Sequence, residues 1–175
     1  MRADLATIFT SQIHTPLGYM GAVADNDGLL RLDWQQSPLS YDSAENDVSR
    51  ETISQIKAYL SATLTHFSLP VSPSATTPAL SKWLAAISSV PFGKTVSYCE
   101  LASLWGNPKA ARAAGNACQK NPLPLIIPCH RIIATNGAFI SYSGGDRSAP
   151  NSPANIARKK ALLDFEAGLI GSLMA

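Results

Sequence analysis

The 175-residue chain predicts an α+β fold in two domains, 1–77 and 78–175. Three observations carry this: strand-length apolar runs in the first half, helical spacing in the second, and a proline-rich segment between them at which the charge reverses. In Leu69 to Pro78 three prolines stand among small polar residues, the composition of a linker. Residues 1–77 hold four Lys or Arg against eight Asp or Glu, whereas residues 78–175 hold ten against four. A basic half joined to an acidic one suggests that the second half meets a polyanion, although ordinary solvated charge produces the same excess.

A hydrophobic content of 46% is enough to bury a real core. Cys99, Cys118 and Cys129 are odd in number and all lie in the second half, which argues for reduced thiols over a disulfide framework. Met1-Arg2-Ala3-Asp4 opens without the apolar stretch of a signal peptide, and no later window approaches the length of a membrane span. A cytoplasmic location is the resulting expectation.

Ile8 to Ile13, Tyr19 to Ala24 and Leu29 to Trp34 are the three strand-like runs. Thr15-Pro16-Leu17-Gly18 and Asp25-Asn26-Asp27-Gly28 separate them, and Asn or Asp beside Gly favours tight hairpins. From Glu45 to Leu64, the residues Val48, Ile53, Ile56, Tyr59, Leu60 and Leu64 recur at helical spacing, predicting one helix that covers the sheet. This half reads as packing. Beyond the linker, Leu80, Trp83, Leu84 and Ile87 share a helical face, and Ser97-x-x-Glu100 is a capping box that starts the next helix. Gly106-Asn107-Pro108 breaks that helix, and the alanine-rich Lys109 to Lys120 resumes. Two short helices across a tight turn make a helix-turn-helix. The alanine face, interrupted by Arg112, suits close approach to another surface; a small-residue seam between packed helices is the commoner use of such a face, since helix pairs far outnumber DNA readers.

Pro128-Cys129-His130-Arg131 follows Leu125-Ile126-Ile127, which reads as a buried strand. A thiol beside an imidazole and a guanidinium is a candidate nucleophile, because a base or a positive charge favours the thiolate. Neighbours on a strand point to opposite faces, so His130 needs a backbone turn or a bridging water to serve Cys129. The imidazole also needs a carboxylate to hold its other nitrogen. Glu166, behind the apolar Ala161-Leu162-Leu163 and Phe165, can point inward from a final helix, although a solvated helix-end carboxylate fits as well. Asn121, between the alanine helix and Pro122, can bond the backbone on both sides of the forced turn. Ser141-Tyr142-Ser143-Gly144-Gly145 offers hydroxyls on a glycine loop suited to a planar ligand.

Together, Val96-Ser97-Tyr98, Gly106 to Gly115, Asn121-Pro122, Ile127 to Ile133, Gly137, Tyr142 to Gly145 and Lys160 to Leu163 with Glu166 resemble the O6-alkylguanine-DNA alkyltransferases, in order over most of residues 90–168. The resemblance implies a ribonuclease H-like first domain and a helix-turn-helix second domain. It further implies a monomeric direct-reversal repair protein that flips a damaged guanine out of double-stranded DNA and moves its O6-alkyl group irreversibly to Cys129. O4-alkylthymine is a second candidate substrate. By the same resemblance Glu166, His130 and a water would deprotonate Cys129, and Asn121 would hold the turn. Tyr98 would donate toward guanine N3, Ser143 would bond O6, and backbone carbonyls near Cys129 and Ile132 would read the exocyclic amine. Tyr142, Gly144 and Gly145 would line the substrate pocket. Arg112 would replace the flipped base while Ala113, Ala114 and Gly115 enter the minor groove, where bulk would not fit.

The chain departs from that pattern in three places. Thr77 to Lys82 lacks the phenylalanine usual before Trp83, and Asp146 to Arg158 is longer than usual, which suggests a mobile lid over the alkyl pocket. The first half also lacks the Cys and His ligands of a structural zinc, so neither metal nor cofactor is expected. Two other functions share the motifs: a lesion-binding relative without transfer, against which Cys129 speaks, and a cysteine hydrolase built on Cys129, His130 and Glu166.

Overall fold

The computed structural model describes residues 7–168 and 172–174, so Met1 to Asp4 lies outside the described residues. Strands β1 (Phe9–Thr15), β2 (Gly18–Ala24) and β3 (Leu29–Gln35) form an antiparallel sheet in the order β1-β2-β3. The hairpin signals act locally. Thr15 Oγ1 accepts from Leu17 N and donates to Gly18 O, while Asp25 Oδ1 takes the amides of Asp27 and Gly28. Helix α1 (Asp47–Leu60) covers the sheet through Ile56, Tyr59 and Leu60, all fully buried. It starts two residues later than expected, at an Asn46–Ser49 capping box.

The expected linker is not free. Leu29 N donates to Pro70 O at 2.8 Å, Ser72 N to Leu29 O at 2.9 Å, and Ser72 Oγ to Asp25 Oδ2 at 2.7 Å. The buried Asp25 carboxylate needs donors, and the connecting segment supplies one, so it is stitched along the sheet.

In the second half, α2 (Pro78–Ser88) is capped by Thr77 with proline in its first turn, and α3 (Tyr98–Leu104) begins at the Ser97–Glu100 capping box. Helix α4 (Ala111–Lys120) completes the helix-turn-helix. It starts later than the alanine pattern suggests, because the Asn107 side chain accepts from Lys109 N and holds that stretch as a turn. Trp83 of α2 stacks on Trp105 at 4.6 Å and 4°. A short parallel ribbon, β4 (Val96–Ser97) with β5 (Ile132–Ile133), has no counterpart in the sequence reading. Helix α5 (Pro153–Glu166) closes the described core.

The buried strand expected at Leu125 to Ile127 is absent. Leu125 has φ 78°, and Ile127 N turns back to Leu123 O at 2.8 Å. Pro122, Pro124 and Pro128 withhold the donors that a ladder needs, and the Asn121 side chain takes the Ile127 carbonyl instead. The turn is fixed from the other half of the molecule: Leu32 N, on the outer edge of β3, donates to Pro122 O at 2.9 Å.

Candidate active site

Cys129 opens a 3-10 turn, Cys129–Arg131, and is buried. Asn121 sits at the end of α4 with no exposed surface, and its amide braces both sides of the turn. Oδ1 accepts from Leu123 N at 3.0 Å, while Nδ2 donates to Ile127 O at 2.8 Å and to Cys129 Sγ at 3.2 Å. Ser143 Oγ also stands 3.3 Å from the sulfur. The sulfur is thus in hydrogen-bond contact with two neutral polar groups.

The 3-10 turn does not bring His130 onto Cys129. His130 is fully buried, with Nε2 at 2.7 Å from Glu166 Oε1 and Nδ1 without a protein hydrogen-bond partner. An ionised carboxylate only accepts, so Nε2 carries the hydrogen and Nδ1 carries the lone pair of a base. Burial lowers the His130 pKa by disfavouring the imidazolium, against the Glu166 bond, which raises it. The ring is therefore neutral at neutral pH.

Glu166 is the hub. It accepts from Arg131 Nε at 2.9 Å and Nη2 at 3.0 Å, from Gly93 N at 2.9 Å, from His130 and from the Tyr59 hydroxyl. Burial alone would raise its pKa, but the bonds from His130, Arg131 and Tyr59 together hold it well below the usual carboxylate range. Two sequence expectations change here. Arg131, read as a cation for the thiolate, is committed to Glu166 and, through Nη1, to Val90 O at 2.7 Å. The first half, read as packing, sends Tyr59 of α1 into the site. Nothing local in the sequence links residues 107 positions apart.

Tyr98 begins α3 and is half-buried, and burial pushes its pKa up to about 12, so its hydroxyl is a proton donor. Ile132 O accepts from the Nζ of Lys159, a buried lysine that the sequence reading passed over and that also bonds Ser141 O at 3.2 Å. Burial lowers the Lys159 pKa. Spacings of three and seven residues put it on one helical face with Leu162 and Glu166, but that face mixes charged and apolar residues, so no apolar stripe marks it in the sequence.

Tyr142 does not line an open pocket. It is buried, edge-on to His130 at 6.3 Å and to Trp34 at 6.0 Å, and so supports the imidazole from beneath. A Cβ on Gly144 would fall 2.2 Å from the Tyr142 ring, and one on Gly145, with φ 134°, would fall 2.1 Å from Asn155 Oδ1. The glycines are required by packing, so the loop is a fixed wall. The expected lid is pinned as well. Asn155, fully buried, donates from Nδ2 to Tyr142 O, Asp146 O and Ala149 O, and its Oδ1 accepts from Asp146 N and Arg158 Nη1. Arg158 in turn reaches Leu17 O at 3.0 Å.

On α4, Arg112 and Ala113 are exposed and Gly115 is half-buried. Ala114 has no exposed surface; its side chain packs inside, which corrects its expected place in a DNA groove.

A neutral histidine oriented by a buried carboxylate, beside a braced thiol on a helix-turn-helix scaffold, defines a single-cysteine nucleophile site. The family model for the 6-O-methylguanine DNA methyltransferase DNA binding domain matches residues 79–168, and that for the ribonuclease-like domain matches residues 8–73. The chain belongs to the 6-O-methylguanine DNA methyltransferase family. It is 33% identical to the constitutive methylated-DNA--protein-cysteine methyltransferase of Bacillus subtilis, over 82% of this chain and 92% of that relative. To the Cricetulus griseus methyltransferase it is 58% identical over 59 residues, 34% of this chain and 28% of that one. Among solved structures, Mycobacterium tuberculosis OGT in complex with DNA superposes with a TM-score of 0.76 at 29% identity, covering 91% of this chain and 93% of that one.

Proposed function

We propose that this protein repairs DNA by direct reversal, moving the alkyl group of O6-alkylguanine to Cys129 once and irreversibly. The observation that carries the reading is the sulfur in contact with Asn121 and Ser143 and served by a neutral, carboxylate-oriented His130. The thiol proton passes through a water to His130 Nδ1. Sγ then attacks the alkyl carbon; the S–C bond forms as the C–O6 bond breaks, and the electron pair goes to the guanine. Tyr98 donates toward the base as that charge develops, and Ser143 Oγ, already beside the sulfur, bonds O6. The carbonyls of Cys129 and Ile132 read the exocyclic amine.

The partner is double-stranded DNA, engaged through the exposed N-terminal end of α4 in the minor groove, with Arg112 filling the space of the flipped base. The extrusion costs a few kcal/mol, least for a mispaired guanine. We assign the reaction to residues 78–175 and the Tyr59 support to residues 1–77, and take the protein to act as a cytoplasmic monomer. Gly115 provides a check on the groove. A Cβ there lies 4.0 Å from the Tyr98 ring, an ordinary contact, so Gly115→Ala should leave the unfolding midpoint unchanged or raised. The same methyl should weaken binding to duplex DNA, measured by fluorescence anisotropy, several-fold.

The deciding experiment is intact mass after exposure to a duplex containing O6-methylguanine. A permanent methyl on the Cys129 peptide supports the reading; bound DNA without added mass identifies a lesion binder, and turnover without modification identifies a hydrolase.

A further inference from the structure

We propose that Tyr59 is a positioning residue for the transfer reaction: by donating to the same oxygen of Glu166 that holds His130, it limits the negative charge offered to the imidazole and keeps the base neutral. The inference rests on the transfer reaction above and gives the first half of the chain a part in it.

Glu166 Oε1 accepts from three side chains: the Tyr59 hydroxyl, His130 Nε2 at 2.7 Å and Arg131 Nη2 at 3.0 Å. Oε2 accepts from Arg131 Nε and from Gly93 N, both at 2.9 Å. A carboxylate oxygen has about two lone-pair sites, so on Oε1 the phenol and the imidazole draw on the same electron density. What Tyr59 takes is withheld from His130. A carboxylate facing an imidazole favours the imidazolium, which has no lone pair on Nδ1 to receive the thiol proton. The phenol weakens that pull without removing the bond that orients the ring.

Tyr59 can act here only as a donor. Burial and the Glu166 charge both push its pKa up, so the phenol keeps its proton. Its ring is fully buried, stacked on Phe67 at 5.1 Å and edge-on to Phe165 and Phe92 at 5.5 and 5.9 Å, which aims the hydroxyl at one place. Among the described residues it is the one side chain of residues 1–77 that hydrogen-bonds Glu166. The other groups that face the imidazole are Cys129 and Arg131 on its own turn, Lys159 on α5, and Tyr142, edge-on at 6.3 Å. Val90 to Gly93, which pack against the Arg131 side of the pair, carry no titratable side chain. Arg131 and Lys159 also disfavour the imidazolium, but Tyr59 is the donor on Oε1 that can be removed with its ring left in place.

The test uses the full chain with Tyr59→Phe, and a second protein carrying 3-fluorotyrosine at position 59, a stronger donor of nearly the same shape. His14 and His66 are exposed, so the buried Nε2 proton of His130 gives a protected NMR resonance, assigned by its loss in His130→Ala. That resonance should move downfield in Tyr59→Phe, as the bond to Oε1 strengthens, and upfield with fluorotyrosine. Methyl transfer from a duplex, read by intact mass across pH, should begin to fall about one pH unit higher in Tyr59→Phe than in wild type, as expected for the loss of a hydrogen bond to a charged group. A resonance that stays in place, or moves the same way in both proteins, overturns the proposal. So does a rate loss equal at every pH, which is the mark of a brace alone. If Tyr59→Phe does not fold, the direction of the fluorotyrosine shift decides. Wild type that transfers no methyl overturns the repair reading, whereas the resonance judges the hold of Tyr59 on the Glu166–His130 pair by itself.

Discussion

Glu166→Ala should destabilise the protein by about 3–5 kcal/mol, the range for removing one partner of a buried ion pair and leaving the other charge unpaired. The stranded group is the Arg131 guanidinium, 7% exposed, and Tyr59, Gly93 and His130 lose an acceptor at the same stroke. Urea unfolding at neutral pH measures the loss. The wild-type contribution also depends on pH in a defined direction. The folded carboxyl holds its proton less tightly than the unfolded one, whose ordinary value is 4.5, so the stabilisation is complete above that value and declines as pH falls below it toward the depressed folded pKa. The lowered pKa of His130 acts the same way, because the unfolded imidazole takes up a proton near its ordinary 6.5 that the buried ring refuses. Wild type should therefore lose stability from mildly acid pH downward, and Glu166→Ala should lose less of it. A variant whose acid sensitivity matches wild type would show that Glu166 is not the coupled group.

His130→Ala should slow alkyl transfer at neutral pH by roughly 10²–10⁴-fold, the range for a positioned general base. The deficit should shrink as pH rises, since hydroxide then makes the thiolate unaided. Wild-type transfer should stay flat into mildly acid pH, because burial keeps the imidazole unprotonated below its ordinary range. Single-turnover rates across pH on a methylated duplex provide the measurement. A pH-independent deficit would assign His130 a purely structural place behind Cys129. Binding of the same duplex separates a lost base from a lost surface.

Much of this site was legible in the sequence because its signals are local. The Ser97–Glu100 capping box, the Asp25 to Gly28 turn and the Asn121 brace each act within a few residues, and each is found where its spacing places it. The alkyltransferase resemblance likewise led to the family that the chain belongs to. What escaped was set by distance or by direction. Tyr59 meets Glu166 only after the two halves pack, and Arg131 turns from the thiol because a carboxylate lies on its other side. The apolar Leu125 to Ile127 has the composition of a strand, but the prolines on both sides remove donors that a ladder would need. In the loop after Gly145, length suggests mobility, yet one buried amide satisfies two of its carbonyls, with that of Tyr142 before it, and fixes it.

The bond from Leu32 N to Pro122 O does more than hold the reactive turn. An open strand edge is a template for pairing with other chains, and here the second half of the same polypeptide shields it, with Pro70 and Ser72 covering Leu29 beside it. Loosening the turn that presents Cys129 would therefore expose the β3 edge together with the thiol, so damage at the reactive centre is coupled to a route into aggregation.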